Sequence, residues 1–189
     1  MTVPPQLSIE DVLKRIAAGV VAGQFRVVLF GGCALPFYGV ERLTLDIDVM
    51  MMDADTNAFA GWMGEMGYQQ VQRTPQCAKF RHSVGEARLP DIDTVFVDAP
   101  VMDKIWTESA VPATAPAPIR VASLAIMVGT KLHALKYNAA NRAERSDLLD
   151  IVGMLRAANI QASDPWLREL CRKYGTDELW QDICRHLST

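Results

Sequence analysis

The sequence predicts an α+β chain: a mixed β-sheet with flanking helices, followed by a C-terminal helical half. Three observations carry this. Short runs of β-branched and apolar residues bounded by turn residues are concentrated before residue 98. Helix-start signals recur at Ser8, Thr56, Asp164 and Thr176. A Pro/Ala-rich stretch, residues 112–118, separates the two patterns and reads as a linker. The expected organisation is therefore an α/β core over residues 1–118 and a helical region over 119–189.

Taken in order, Ser8 with Asp11 forms an N-cap pair that opens a helix over about residues 9–22. Arg26–Phe30 is a short apolar strand that runs into Gly31-Gly32. A short helix opens at Cys33, with Pro36 tolerable in its first turn, and Gly39 ends it. A strand follows over 44–51, with Met50, Met51 and Met52 as its buried continuation. Thr56 caps a helix through Met66, ended by Gly67. Strands are expected near 68–73, 77–82 and 87–97, and Ala99-Pro100 starts a short helix. The second half holds helices over about 123–138 and 143–157. Leu148, Ile151, Val152 and Leu155 form the core stripe of the latter, with Asp147, Asp150 and Met154 to one side. Asp164-Pro165 caps a further helix that Gly175 ends, and Thr176 caps the last. A cleft between the two halves is the expected ligand site.

Chemistry concentrates in Thr44-Leu45-Asp46-Ile47-Asp48-Val49-Met50. Strand alternation sends Asp46 and Asp48 to one face and Leu45, Ile47 and Val49 to the other. Two carboxylates side by side repel, and burying them is costly unless a cation sits between them. Hard oxygen ligands suit Mg²⁺, which commonly binds one or two carboxylates plus substrate phosphates. An isolated Asp-x-Asp is equally compatible with an edge strand carrying two solvated aspartates. The preceding strand, diglycine and helix start sharpen the reading, because backbone N–H groups there can approach a phosphate closely.

Gly31, Gly32, Ala34, Gly39, Arg42, Thr44, Asp46 and Asp48 together resemble the signature of the nucleotidyltransferase fold. The Gly-Gly form with Arg-x-Thr-x-Asp-x-Asp is similar to the abortive-infection (AbiE-type) toxin nucleotidyltransferases of the polymerase-beta-like superfamily. The resemblance implies a nucleotidyltransferase-like sheet and a third carboxylate on a later strand. Pro90-Asp91-Ile92-Asp93-Thr94-Val95-Phe96-Val97 offers Asp93, with Asp91 as the alternative on the same face. Asp46, Asp48 and Asp93 would be the catalytic and metal-binding acids, holding two Mg²⁺ ions. Gly31, Gly32, Arg42, Thr44, Lys131 and Lys136 would contact the nucleotide. The segment from Lys131 to Ile151 resembles the family's helical Lys segment and its following acidic segment, with Ser146 where Lys or Arg is common. The implied reaction moves a nucleoside monophosphate from an NTP, such as ATP, to a hydroxyl on RNA (tRNA included), protein or a small molecule. The implied partner is a cognate antitoxin. The rival reading is an inactive nucleotide-binding or protein-interaction module with the same fold.

Composition sets outer limits. The chain has 189 residues, 50% hydrophobic and 22% charged, enough for a sizeable core. No apolar run approaches the length of a membrane helix, and Met1–Pro5 lacks a basic, hydrophobic leader, so a cytoplasmic protein is expected. Cys33, Cys77, Cys171 and Cys184 lack Cys-x-x-Cys spacing and read as reduced thiols. The net charge of −3 hides acids at residues 44–55 and bases at 120–145, where Arg120, Lys131, Lys136, Arg142 and Arg145 face only Glu144. Without a long basic run, a large nucleic-acid footprint is not supported. The four tryptophans are read as packing residues, and His82 and His133, lone histidines without a Ser or Cys partner pattern, are given no catalytic role.

Overall fold

The computed structural model describes residues 8–83, 89–137 and 146–188. Helix α1 (Ile9–Val21) opens with the expected reciprocal cap: the Asp11 amide donates to the Ser8 hydroxyl, and the Ser8 amide donates to the Asp11 carboxylate. Its buried positions, Val12, Leu13, Ile16 and Ala17, form one stripe. Strand β1 (Val27–Phe30) leads to Gly31 and then to a 3₁₀ segment, Gly32–Tyr38. Pro36 lies inside that segment and has no N–H to give, which favours a short 3₁₀ stretch over a regular α-helix.

Strand β2 (Asp46–Met52) is followed by a 3₁₀ turn, Asp53–Asp55, and helix α2 (Thr56–Gly64). Thr56 is not the cap expected of it. Its backbone is already helical (φ −58°, ψ −41°), and its hydroxyl donates to the Asp53 carbonyl at 2.7 Å. Strands β3 (Tyr68–Arg73), β4 (Cys77–His82) and β5 (Asp91–Val97) and helix α3 (Ala99–Glu108) follow. Strand β5 starts later than expected because Pro90 cannot join the ladder. Residues 87 and 88 of the expected strand lie outside the described residues.

The sheet is five-stranded, in the order β1-β2-β5-β4-β3. Only the β2–β5 pairing is parallel; the others are antiparallel. Ile47, Ile92 and Phe80 share one row and are fully buried. Phe59 of α2 packs edge-on against Phe80 and against Phe25, each at 5.1 Å between ring centroids. That face is the core, so the opposite face is the one that carries the acids.

The second half is helical: α4 (Leu124–Tyr137), α5 (Ser146–Ala157), α6 (Pro165–Tyr174) and α7 (Asp177–Leu187). Helix α4 packs on α5 and α6, and α7 packs on the same two partners. Asp164 and Thr176 cap α6 and α7 as expected, and Gly175 closes α6. The buried side of α5 is wider than the expected stripe: Asp150 and Met154 are buried with Ile151, Val152 and Leu155, while Leu149 is 61% exposed. Arg142 and Arg145, and the start expected for α5 at residue 143, lie outside the described residues.

The chain divides into two compact units, Met1–Ala34 with Leu43–Ala122, and Leu35–Arg42 with Ser123–Thr189. The expected division lay at 118/119. The sheet unit reaches Ala122 because Val121 bridges Leu29 and Ala110, and the Ala122 amide donates to the Leu29 carbonyl at 2.9 Å. Residues 35–42 join the helical unit, where a Cβ on Gly153 would come within 2.8 Å of Val40. Ser8→Ala is expected to cost about 1 kcal/mol, typical of a lost N-cap. Urea unfolding measures it, and an unchanged midpoint would remove the cap from the account of α1.

Candidate functional site

Register across three strands builds the acid face. Asp48 of β2 lies level with Asp93 of β5, and Lys79 of β4 is the partner of Asp93 on the other side. Asp46 lies level with Asp91. Alternation then places Arg81 beside Asp91, where its guanidinium donates from two nitrogens at 3.1 and 3.3 Å. The face thus carries two rows, Asp48–Asp93–Lys79 and Asp46–Asp91–Arg81.

The two acids of β5 have different neighbours. Asp91 is gripped by Arg81, whose hydrogen bond holds its carboxyl below the usual carboxylate range, and it lies 3.5 Å from the Lys79 ammonium. Asp93 receives Lys79 at 3.1 Å. That hydrogen bond, above all, keeps the ammonium above its ordinary value. Of the two, Asp93 is the one level with Asp48.

The diglycine turn is fitted around the acids. Gly31 has φ +66°, and a Cβ there would lie 2.0 Å from Asp48 Oδ2. A Cβ on Gly32 would lie 2.5 Å from Thr44 Oγ1. The Gly32 amide points at Asp48 Oδ2 at 3.4 Å. Thr44 donates its hydroxyl to Asp46 Oδ1 at 3.0 Å, and Cys33 Sγ donates to the Asp46 carbonyl at 3.2 Å. Burial, then the charges of Asp48 and Asp46, push the Cys33 thiol up to about 12, so it is not a thiolate nucleophile at neutral pH.

The helical unit holds a second ionic cluster. Lys131 is 8% exposed and donates to Asp147 at 2.7 Å and to Asp150 at 2.8 Å. Asp150, 4% exposed, also receives Arg42 at 2.6 Å. Lys136 is exposed beside the Tyr137 ring. Arg120 belongs to neither set: it donates to the Ser109 hydroxyl and carbonyl and to the Trp106 carbonyl, with its guanidinium over the Trp106 ring. His82 meets the Tyr68 ring edge-on at 5.5 Å between centroids, and His133 lies tilted against Tyr137 at 4.7 Å. Sequence reasoning missed Lys79, Arg81 and the link from Arg42 to Asp150. The available signal was parity, since Lys79 and Arg81 stand two apart on a strand flanked by buried Ala78 and Phe80. Among the described residues no three His, Cys, Asp or Glu side chains form a ready-made metal nest.

Solved structures with this architecture define the class. The antibiotic-resistance factor ANT(2'')-Ia is 13% identical with a TM-score of 0.57, covering 94% of this chain and 89% of its own. An antigenic nucleotidyltransferase-like protein from Paracoccidioides brasiliensis is 12% identical with a TM-score of 0.58, covering 96% and 92%. The lincosamide antibiotic adenylyltransferase LnuA, bound to lincomycin, is 14% identical with a TM-score of 0.54, covering 79% and 96%. At such identities the likeness is one of fold, and the fold is that of the nucleotidyltransferases. The model of the nucleotidyl transferase AbiEii toxin family, from type IV toxin–antitoxin systems, matches residues 11–185. The chain belongs to that family of nucleotidyltransferase toxins. No curated protein matches it closely. Among the described residues no helix is long and apolar enough to cross a membrane.

The ionic cluster makes a stability prediction. Asp150→Ala leaves the buried Lys131 with Asp147 alone and is expected to cost about 2–4 kcal/mol, as for breaking a buried pair. Asp147, 36% exposed at its side chain, is expected to cost under about 1 kcal/mol on replacement by Ala. Urea unfolding of the two variants checks the order, and equal costs would contradict it.

Proposed function

We propose that this chain is a Mg²⁺-dependent enzyme that moves a nucleoside monophosphate from an NTP to an acceptor hydroxyl, as the toxin of a toxin–antitoxin pair with a cognate antitoxin as partner. The observation that carries the reading is the level placement of Asp48 and Asp93, with Asp46 one pleat along, against a glycine turn where a Cβ would crowd the Asp48 and Thr44 side chains. Family membership supports the reaction class.

The chemistry of the donor set suits a divalent ion; among the described residues the acids are not drawn together into a closed group, so a nucleotide's oxygens would have to complete the site. The acid face carries four carboxylates, Asp46, Asp48, Asp91 and Asp93, against two cations, Lys79 and Arg81, so these six side chains leave two negative charges in surplus. Hard carboxylate oxygens with substrate phosphates are the usual surroundings of Mg²⁺. Asp46 and Asp48 would hold it, with Asp93 as the third ligand. When bound, Mg²⁺ supplies charge neutralisation on the triphosphate and lowers the pKa of the acceptor hydroxyl.

The chain's own groups do the positioning. Thr44 fixes the Asp46 carboxylate, and the Gly32 amide orients that of Asp48. Asp93 orients the acceptor hydroxyl and takes its proton as the new O–P bond forms. The bond from the α-phosphorus to the bridging oxygen breaks, and pyrophosphate leaves with that electron pair. Little covalent chemistry falls to the protein, so alignment and charge carry most of the rate. In the helical unit, Lys131 is the foremost phosphate-binding candidate: among the described residues its ammonium, which has three donors, serves Asp147 and Asp150.

Two outcomes test the proposal. Asp46→Asn and Asp48→Asn are each expected to abolish Mg²⁺-dependent pyrophosphate release while the melting temperature without metal stays equal or rises, because like-charge repulsion is relieved. Full activity in either variant would overturn the metal reading. Asp93→Ala is expected to lower single-turnover release by about a hundredfold or more, the range for a lost positioned base, and Asp91→Ala by much less. A dead Asp91→Ala beside an active Asp93→Ala would move the third carboxylate. Mass spectrometry of RNA and protein from cells expressing wild type or Asp48→Ala identifies the acceptor.

A further inference from the structure

Strand β4 supplies the cations that sort the four carboxylates. Ala78 and Phe80 are buried on the core side, so Lys79 and Arg81 must point to the acid face. Arg81 engages Asp91 through two nitrogens, a planar fork on a planar carboxylate. Lys79 meets Asp93 with a single ammonium at 3.1 Å and lies 3.5 Å from Asp91; its side chain is 29% exposed, against 58% for Arg81. An ammonium on a flexible stem is a compact point charge, easily moved into water, whereas the guanidinium fork is pre-organised for its partner. Asp91 is thus held by a guanidinium through two nitrogens, and Asp93 by one ammonium contact. The acid held by the ammonium is the one level with Asp48.

We propose that Lys79 is a positioning residue that stands in for the divalent cation at Asp93 in the nucleotide-free protein and yields the carboxylate only when a nucleotide arrives with the metal. The inference rests on the metal reading of the acid face given above. Before substrate binds, the ammonium holds the Asp93 carboxylate in place and offsets part of the surplus negative charge. It also competes with any divalent ion that approaches without a nucleotide. A triphosphate brings the further oxygen ligands that let the ion win Asp93 from the ammonium. Lys79 moves aside toward solvent, and no bond is made or broken.

The test reads metal binding rather than turnover. Mn²⁺ is titrated into the full chain and followed by the electron paramagnetic resonance signal of the free ion. The proteins are wild type, Lys79→Met, Lys79→Gln and Lys79→Arg, each with its fold checked by circular dichroism. Each is titrated alone and with the α,β-methylene analogues of ATP, GTP, CTP and UTP. Without nucleotide, Lys79→Met and Lys79→Gln are expected to bind Mn²⁺ about tenfold more tightly than wild type or beyond, because a unit positive charge near the ion is gone. Lys79→Arg is expected to bind Mn²⁺ no more tightly than wild type, and with a bound analogue the gap between wild type and Lys79→Met is expected to narrow. Equal or weaker Mn²⁺ binding by the Met and Gln variants, with wild type still binding Mn²⁺ in the presence of an analogue, overturns the role of Lys79 and leaves the metal reading standing. No Mn²⁺ uptake by wild type with any analogue overturns the metal reading, and the role of Lys79 with it.

Discussion

Repulsion among carboxylates on one sheet face is the constraint that the sheet unit is arranged around. Asp46, Asp48, Asp91 and Asp93 share that face because the residues between them, Ile47 and Ile92, are fully buried on the other. A slip of one residue in either strand would drive acids into the core, so apolar burial fixes the register that crowds the charges. Each surrounding feature answers the crowding. Gly31 adopts φ +66° and leaves the space Asp48 fills. Thr44 and the Gly32 amide give hydrogen bonds to Asp46 and Asp48. Strand β4 adds two cations at the far side of both rows.

The helical unit solves a different problem with the same materials. Lys131 and Asp150 lie almost wholly buried, and two buried charges carry a desolvation cost that their attraction repays only with good geometry. Asp147 and Arg42 complete the set, giving two acids and two bases with N···O distances of 2.6–2.8 Å. The pairing joins α4 to α5 and draws in the segment Leu35–Arg42, which explains why that stretch belongs with the helices although strands flank it in sequence. Arg42 and Lys131, expected to meet phosphate, are therefore also part of the unit's own architecture.

What could be read from the sequence was local. The capping box at Ser8, the caps at Asp164 and Thr176, and the one-face placement of Asp46 and Asp48 depend on spacings of two or three residues, and the structure has them. Thr56 misled because a capping residue type says nothing of the backbone before it, and the turn Asp53–Asp55 had already made that backbone helical. The pairings of Lys79 with Asp93 and of Arg42 with Asp150 span 14 and 108 residues, and no local pattern states which elements become neighbours. Asp150 looked like a residue at the side of the α5 stripe because burial of an acid is expected only with a partner, and its partners lie on other segments.

Asp91 and Asp93 show why a candidate site cannot be assigned from residue type and strand parity alone. They sit on one strand, on one face, two residues apart, and alternation treats them as equals. Their neighbours separate them. The Arg81 guanidinium donates to Asp91 from two nitrogens, while the Lys79 ammonium sits 3.1 Å from Asp93 and 3.5 Å from Asp91. The same comparison bears on the rival reading of an inactive binding module. A binder with no use for a metal would gain stability by replacing any one of the four acids with its amide, since that removes repulsion at almost no change in volume. Counted over Asp46, Asp48, Asp91, Asp93, Lys79 and Arg81 among the described residues, the face instead has two more acids than bases, beside a turn shaped to admit Asp48. Such a surplus is unfavourable in the protein alone and becomes favourable when a divalent cation is bound. That asymmetry counts against a binding module that uses no metal.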